Sequence, residues 1–179
     1  MGRARLIGYP PPPKDCDDAN ASFMSDKYSG KDFSRFYRGL VCGTKEGERA
    51  LIFASDTNLA KLGEHTKTIM ADGTFHTAPK IVKGKLYQIL IVYAEYKNHV
   101  FPIMKAIMTN KTRSLYDSVF SKLKTMLPEE VKPTVVITDY EPALQGGLAA
   151  IFPDAKICGC WFHYSQVSYF LLITSYQLG

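Results

Sequence analysis

At 179 residues, 46% of them hydrophobic and 22% charged, the chain holds enough apolar material for one globular domain with a shorter appendage, and this composition excludes a disordered chain. Its 22 Lys+Arg against 17 Asp+Glu give a net charge of +5, which suits a nucleic-acid partner and an ordinary soluble protein equally. The longest apolar stretch, 167–178, is short for a bilayer and broken by Ser, Thr and Gln, so no membrane association is expected.

Cys16, Cys42, Cys158 and Cys160 are even in number, but no secretory apolar region follows Met1, so reduced thiols in an intracellular protein are expected rather than a disulfide framework. Gly2 does not open a myristoylation signal, because Leu6 stands where that signal takes Ser or Thr.

Residues 1–45 read as a poorly structured or appended N-terminal segment. Pro10, Pro11, Pro12 and Pro13 favour an extended polyproline stretch and 14–20 is polar and turn-rich, so little packed structure is expected before Phe23. Residues 27–38 interleave Lys27, Lys31, Arg35 and Arg38 with Tyr28, Phe33, Phe36 and Tyr37. That pattern suits bases stacked on rings with phosphates on cations, and equally an amphipathic segment laying its rings on the domain.

Regular patterning begins near Arg49 and supports a core over 46–166. The apolar run 50–53 leads to Ser55 or Asp56, which can cap a helix through Leu59 and Leu62 that ends at Gly63. A strand is predicted over 68–75, carrying Asp72. Residues 86–94 and 100–108 are rich in β-formers on either side of the turn 95–99 and read as an antiparallel hairpin, with Pro102 placing the second strand at a sheet edge. From 112 to 127 the period becomes helical, with Leu115, Val119, Leu123 and Met126 on one face, widened by Tyr116, Phe120 and Leu127, until Pro128. The unbroken run 134–138 predicts a strand buried on both faces, with Asp139 at its carboxyl end. Glu141 and Pro142 start a helix that buries Leu144 and Leu148, Pro153 ends it, 155–158 is a last short strand, and a helix follows from Trp161.

Asp72 and Asp139 each stand at the mouth of an apolar run. An unpaired carboxylate is costly at the end of a buried strand, so two of them in this order point to a cation or a reaction. Taken singly, Asp72 also reads as a turn residue before Gly73, Asp139 as a helix-start residue, and Glu141 as a carboxylate satisfying free amides at the start of its helix. His76 is open between a phosphate contact and plain surface. Three antiparallel strands followed by strand-helix units describe an α/β fold with a mixed sheet in the order of ribonuclease-H-like folds. In that layout Asp72 and Asp139 project together from adjacent strands, where carboxylate oxygens suit Mg²⁺.

Asp72-Gly73-Thr74-Phe75, Tyr87-Gln88, Pro102, Lys111, Tyr116, Thr138-Asp139-Tyr140-Glu141, Phe152-Pro153 and Cys160-Trp161-Phe162-His163 together resemble the transposase domain of Mutator-like elements, from about Leu51 to Gln166. The resemblance implies a ribonuclease-H-like nuclease that cuts and joins DNA at transposon ends with Mg²⁺ or Mn²⁺. It makes Asp72 and Asp139 the first and second catalytic acids and metal ligands. It makes Cys160 and His163 the motif that supports the second acid, and it implies a nuclear location and allows a homo-oligomer. Zinc is the lesser reading of that motif, since Cys158, Cys160 and His163 fall short of four ligands.

The resemblance also implies a third acid, a glutamate on a later helix. The chain stops at Gly179, so an incomplete catalytic set is expected, with the sheet incomplete at the C-terminus and 167–179 an apolar tail of truncated-helix type. Glu141 is not expected to replace the third acid. The alternatives are a non-catalytic transposon-derived remnant or domesticated module that binds DNA or protein, and a nuclease of the same fold acting on RNA or hybrid duplex.

Overall fold

The computed structural model describes residues 13–25, 35–74 and 86–165, and in them the β-branched and aromatic runs become strands of one sheet. The elements in order are α1 (Cys16–Met24), β1 (Tyr37–Cys42), β2 (Arg49–Ala54), α2 (Asp56–Leu59), β3 (Thr68–Thr74), β4 (Gln88–Tyr96), β5 (His99–Met108), α3 (Arg113–Met126), β6 (Val135–Thr138), α4 (Pro142–Ile151) and β7 (Lys156–Gly159). A helical turn follows over 161–165.

The seven strands lie in the order β1-β2-β5-β4-β3-β6-β7. Strands β1 to β5 pair antiparallel, whereas β6 runs parallel to β3 and β7 parallel to β6. This is an α/β fold with a mixed sheet, consistent with the ribonuclease-H-like class. The β4–β5 hairpin closes through Lys97 and Asn98, both at positive φ, the backbone that matches the twist of tightly joined strands.

One face of the sheet carries the main core. Leu115, Tyr116, Val119, Phe120 and Leu123 of α3 and Leu144 and Leu148 of α4 are buried against Ile52, Ile69, Leu90, Val92, Met104 and Val136. Each such side chain is worth about 1.5–3 kcal/mol on burial. The two helices approach closely at Gly147, where a Cβ would stand 2.8 Å from the Phe120 ring. On the opposite face α1 covers β1 and β2, with Cys16 and Ala19 buried against Tyr37 and Leu51, and the Phe23 ring centroid 5.1 Å from that of Tyr37.

Three expectations need correction. Residues 16–24 are packed helix before and through Phe23, because Asp15 caps them by accepting from the Asp18 amide at 2.8 Å and α1 has an apolar side to bury. The N-terminal segment also supplies β1, the strand beyond β2. Strand β5 is interior, flanked by β2 and β4, yet its β2 ladder stops at Met104. Pro102 lies past that ladder beside the bulge at Val92/Tyr93, so its missing N–H costs no pairing, and its carbonyl accepts from Asn58 Nδ2 at 2.8 Å. Strand β6 is not buried on both faces: Val136 and Thr138 are buried under the helices while Val135 and Ile137 are half-buried. The polyproline run up to Pro12, most of the basic-aromatic segment, Phe75, His76 and the tail 167–179 lie outside the described residues.

Candidate functional site at the carboxyl edge of the parallel strands

Strands β3 and β6 pair from Thr68–Val135 to Ala71–Thr138, so Asp72 and Asp139 occupy equivalent positions one residue beyond the last pair. Alternation groups Asp72 with Met70 on the face away from α3 and α4, and Asp139 follows directly on Thr138 at the end of β6. Strand β7 continues the edge: Thr138 pairs with Gly159, and the Cys160 amide donates to the Thr138 carbonyl at 2.7 Å. Asp72, inside β3 where its pairing with β6 ends, and Asp139 and Cys160, which follow β6 and β7, thus lie at one edge of three successive strands, which brings both sequence-predicted acids to adjacent positions.

Asp139 is held at both ends of its residue. Its Oδ1 accepts from the Glu141 amide at 3.2 Å, and its carbonyl accepts from Gln145 Nε2 at 2.9 Å. The Asp72 side chain is 45% exposed and has the His163 imidazole beside it, with Nε2 3.8 Å from Oδ1. Strand β6 separates β3 from β7, a gap of about 9–10 Å, so the 161–165 turn must carry His163 back across β6 to reach Asp72. Cys160 contributes backbone to that turn, its carbonyl accepting from the Tyr164 amide at 3.1 Å. All four cysteines are free thiols. Among the described residues, no group of three or more His, Cys, Asp or Glu is arranged to hold a metal ion. The carboxylate oxygens of Asp72 and Asp139 are the donors that a hard divalent cation would find at this edge, and oxygen donors are the type Mg²⁺ and Mn²⁺ take.

Glu141 does not cap its helix with its side chain. Its Oε2 instead accepts from Tyr116 Oη at 3.3 Å, and Gln88 Nε2 donates to the same hydroxyl. Burial pushes the Glu141 carboxyl up, Lys111 opposes that, and the neighbouring Asp139 charge adds to it. Burial likewise pushes the Tyr116 hydroxyl up, against the Gln88 hydrogen bond and with the charges of Glu141 and Asp139. Gly73 makes room for this relay, since a Cβ there would stand 2.9 Å from Gln88 Oε1. Gln88, Tyr116 and Glu141 therefore connect β4, α3 and α4 behind the acids, a role the sequence alone did not assign. Gln88 left a signal: it is the polar residue on the parity that buries Leu90, Val92 and Ala94.

Buried polar atoms without a partner among the described residues are Gln88 Oε1, Thr138 Oγ1, His163 Nδ1 and Glu48 Oε1. The first three surround the carboxyl edge, and such groups concentrate where a ligand or water completes the bonding. An apolar hollow of about 480 Å³ lined by Phe36, Phe53, Ile89, Pro102 and Ile107 lies elsewhere and includes neither acid.

Residues 68–167 match the family model of the MULE transposase domain, more than half of the 179-residue chain. The chain belongs to the MULE transposase domain family. The MULE match opens at β3 and closes just past the His163 turn, so it contains Asp72, Asp139, Cys160 and His163, while α1, β1 and β2 precede it. Membership gives the MULE domain a transposase-related function. Comparison with curated proteins finds no match.

Proposed function

We propose that this MULE domain is the core of a DNA-cleaving and DNA-joining transposase, in which Asp72 and Asp139 hold Mg²⁺ or Mn²⁺ and act on phosphodiesters at transposon ends in the nucleus. The observation that carries the reading is the in-register placement of the two carboxylates on adjacent parallel strands. A bound divalent cation there would polarise the phosphate and activate the attacking oxygen.

The chain's own residues prepare the site. The Glu141 amide and the Gln145 side chain fix Asp139 in one orientation, and the Gln88–Tyr116–Glu141 relay holds the start of α4 from behind. His163 stands over Asp72 and restrains that carboxylate electrostatically wherever the imidazole is protonated.

A second reading, a transposon-derived module that binds DNA or protein without cleaving, is favoured by one observation. Glu141, the carboxylate nearest Asp139 in sequence, accepts from Tyr116 rather than joining the two aspartates. A cleavage and strand-transfer assay on duplex carrying element ends, with Mg²⁺ or Mn²⁺, separates the two. Nicked or joined product that disappears in Asp72→Asn and Asp139→Asn supports the enzyme, whereas bound but intact DNA supports the module.

A further inference from the structure

We propose that Tyr140, Trp161 and Tyr164 form a base-stacking surface beside the two acids, so that the DNA presented to them is locally unpaired. The inference rests on the DNA reading above and adds the form of the DNA. Exposed large hydrophobics are ordinarily scattered, and a concentration of them marks a binding surface. At this edge Tyr140 is 53% exposed, Trp161 76% and Tyr164 50%.

Strand pairing, not sequence proximity, joins Tyr140 to the others. Thr138 pairs with Gly159, and the Tyr140 ring lies so close over Gly159 that any Cβ there would overlap it. Two residues further on, Trp161 begins the turn in which its ring and that of Tyr164 stand 5.3 Å apart and inclined by 30°. The same turn carries His163 to Asp72, which ties the aromatic surface to the acids.

The occupant follows from charge and shape. With a cation between the two carboxylates the phosphodiester is held by charge, and the bases beside it need an attraction of their own. Flat rings offer it to the face of a nucleobase, with any base accepted. In a closed duplex those faces are covered by neighbouring bases, so only unpaired nucleotides can use the surface.

Trp161 is the single tryptophan of the chain, so its emission reports on this surface directly. The full chain is titrated in Mg²⁺ with a dye-labelled single-stranded oligodeoxynucleotide and with the matching duplex, reading dye anisotropy for binding and Trp161 emission for stacking. Single strand is expected to quench Trp161 and shield it from acrylamide, and duplex to do so much less. Tyr164→Ala, which keeps the reporter, should weaken single-strand binding roughly five-fold or more while duplex binding stays. If anisotropy rises with single strand and Trp161 emission stays constant, stacking is wrong and the DNA reading survives. If neither DNA raises anisotropy, both fall. Trp161 shielded from acrylamide before DNA is added would mean that this chain or a second copy already covers the surface, which also overturns the proposal.

Discussion

His163 Nε2 stands 3.8 Å from Asp72 Oδ1, although the strands that lead to them are not neighbours. The contact exists because the chain leaves β7, forms a turn on the Cys160 carbonyl and returns across the end of β6. Both side chains are partly exposed, at 34% and 45%, so the pair is screened and worth little to the fold. His163→Ala is expected to lower stability by less than about 1 kcal/mol in chemical denaturation. A loss several times larger would mean that the 161–165 turn is a structural staple rather than part of a site.

Tyr116 has a different weight. Its ring stacks on Phe120 with centroids 5.9 Å apart, and its hydroxyl joins Gln88 to Glu141 inside the core. Tyr116→Phe keeps the ring, takes the donor from Glu141 Oε2 and leaves Gln88 Nε2 with only the Met108 sulfur at 3.4 Å, so a cost of about 1–3 kcal/mol is expected from the denaturation midpoint. An unchanged midpoint would show that water takes over the hydroxyl's bonds.

Gly147→Ala sets two effects against each other. Alanine gains roughly 1 kcal/mol of helix propensity over glycine. The added carbon, however, would stand 2.8 Å from Phe120 and 3.3 Å from the Tyr116 Cβ, pressing α4 off α3. Overpacking of that kind costs about 1–3 kcal/mol, so net destabilisation is expected in a thermal melt. A stabilised variant would mean that α3 and α4 have slack at their contact.

Two carboxyls give opposite pH signatures. Burial works against the Glu48 charge, but hydrogen bonds from Thr112, Ser114 and the Lys45 amide outweigh it and hold the carboxyl below its ordinary 4.5. Its stabilising contribution is whole above 4.5 and is lost as pH falls through the depressed value. Glu48→Gln should therefore be less stable than wild type at neutral pH, with the gap closing in acid. Glu141, pushed up mainly by burial, binds its proton more tightly folded than unfolded. Glu141→Gln should show its advantage at neutral pH and lose it as pH falls through the raised value toward 4.5. Paired denaturation curves across pH read both signs, and parallel curves for either pair would contradict it.

Much of this architecture was legible because it is local. The period-four repeat of Leu115, Val119 and Leu123 gave α3 within a residue or so, and the run before Asp139 gave β6. Strand β1 was hidden because Tyr37–Cys42 carries Arg38 and Gly39 and pairs through a bulge, leaving no clean alternation to read. Pro102 was read correctly as a residue that joins no ladder on one side, but the sequence does not say where β2 stops, so the inference to a whole edge strand failed. Asp139 was legible as a strand end, whereas Asp72 lies inside β3, which continues through Gly73 to Thr74 on its β4 ladder. The Gln88–Tyr116–Glu141 relay was not legible, since its members come from three elements and only the packing of α3 against the sheet brings them together.

The shared metal is the centre of the proposal, and Mn²⁺ binding tests it most directly. Calorimetric titration of the wild type is expected to show Mn²⁺ bound at one class of site, lost in Asp72→Asn and in Asp139→Asn alike, because each aspartate supplies oxygen to the same ion. Equal Mn²⁺ affinity in wild type and in both variants, with all three proteins folded, would contradict a cation held between these strands.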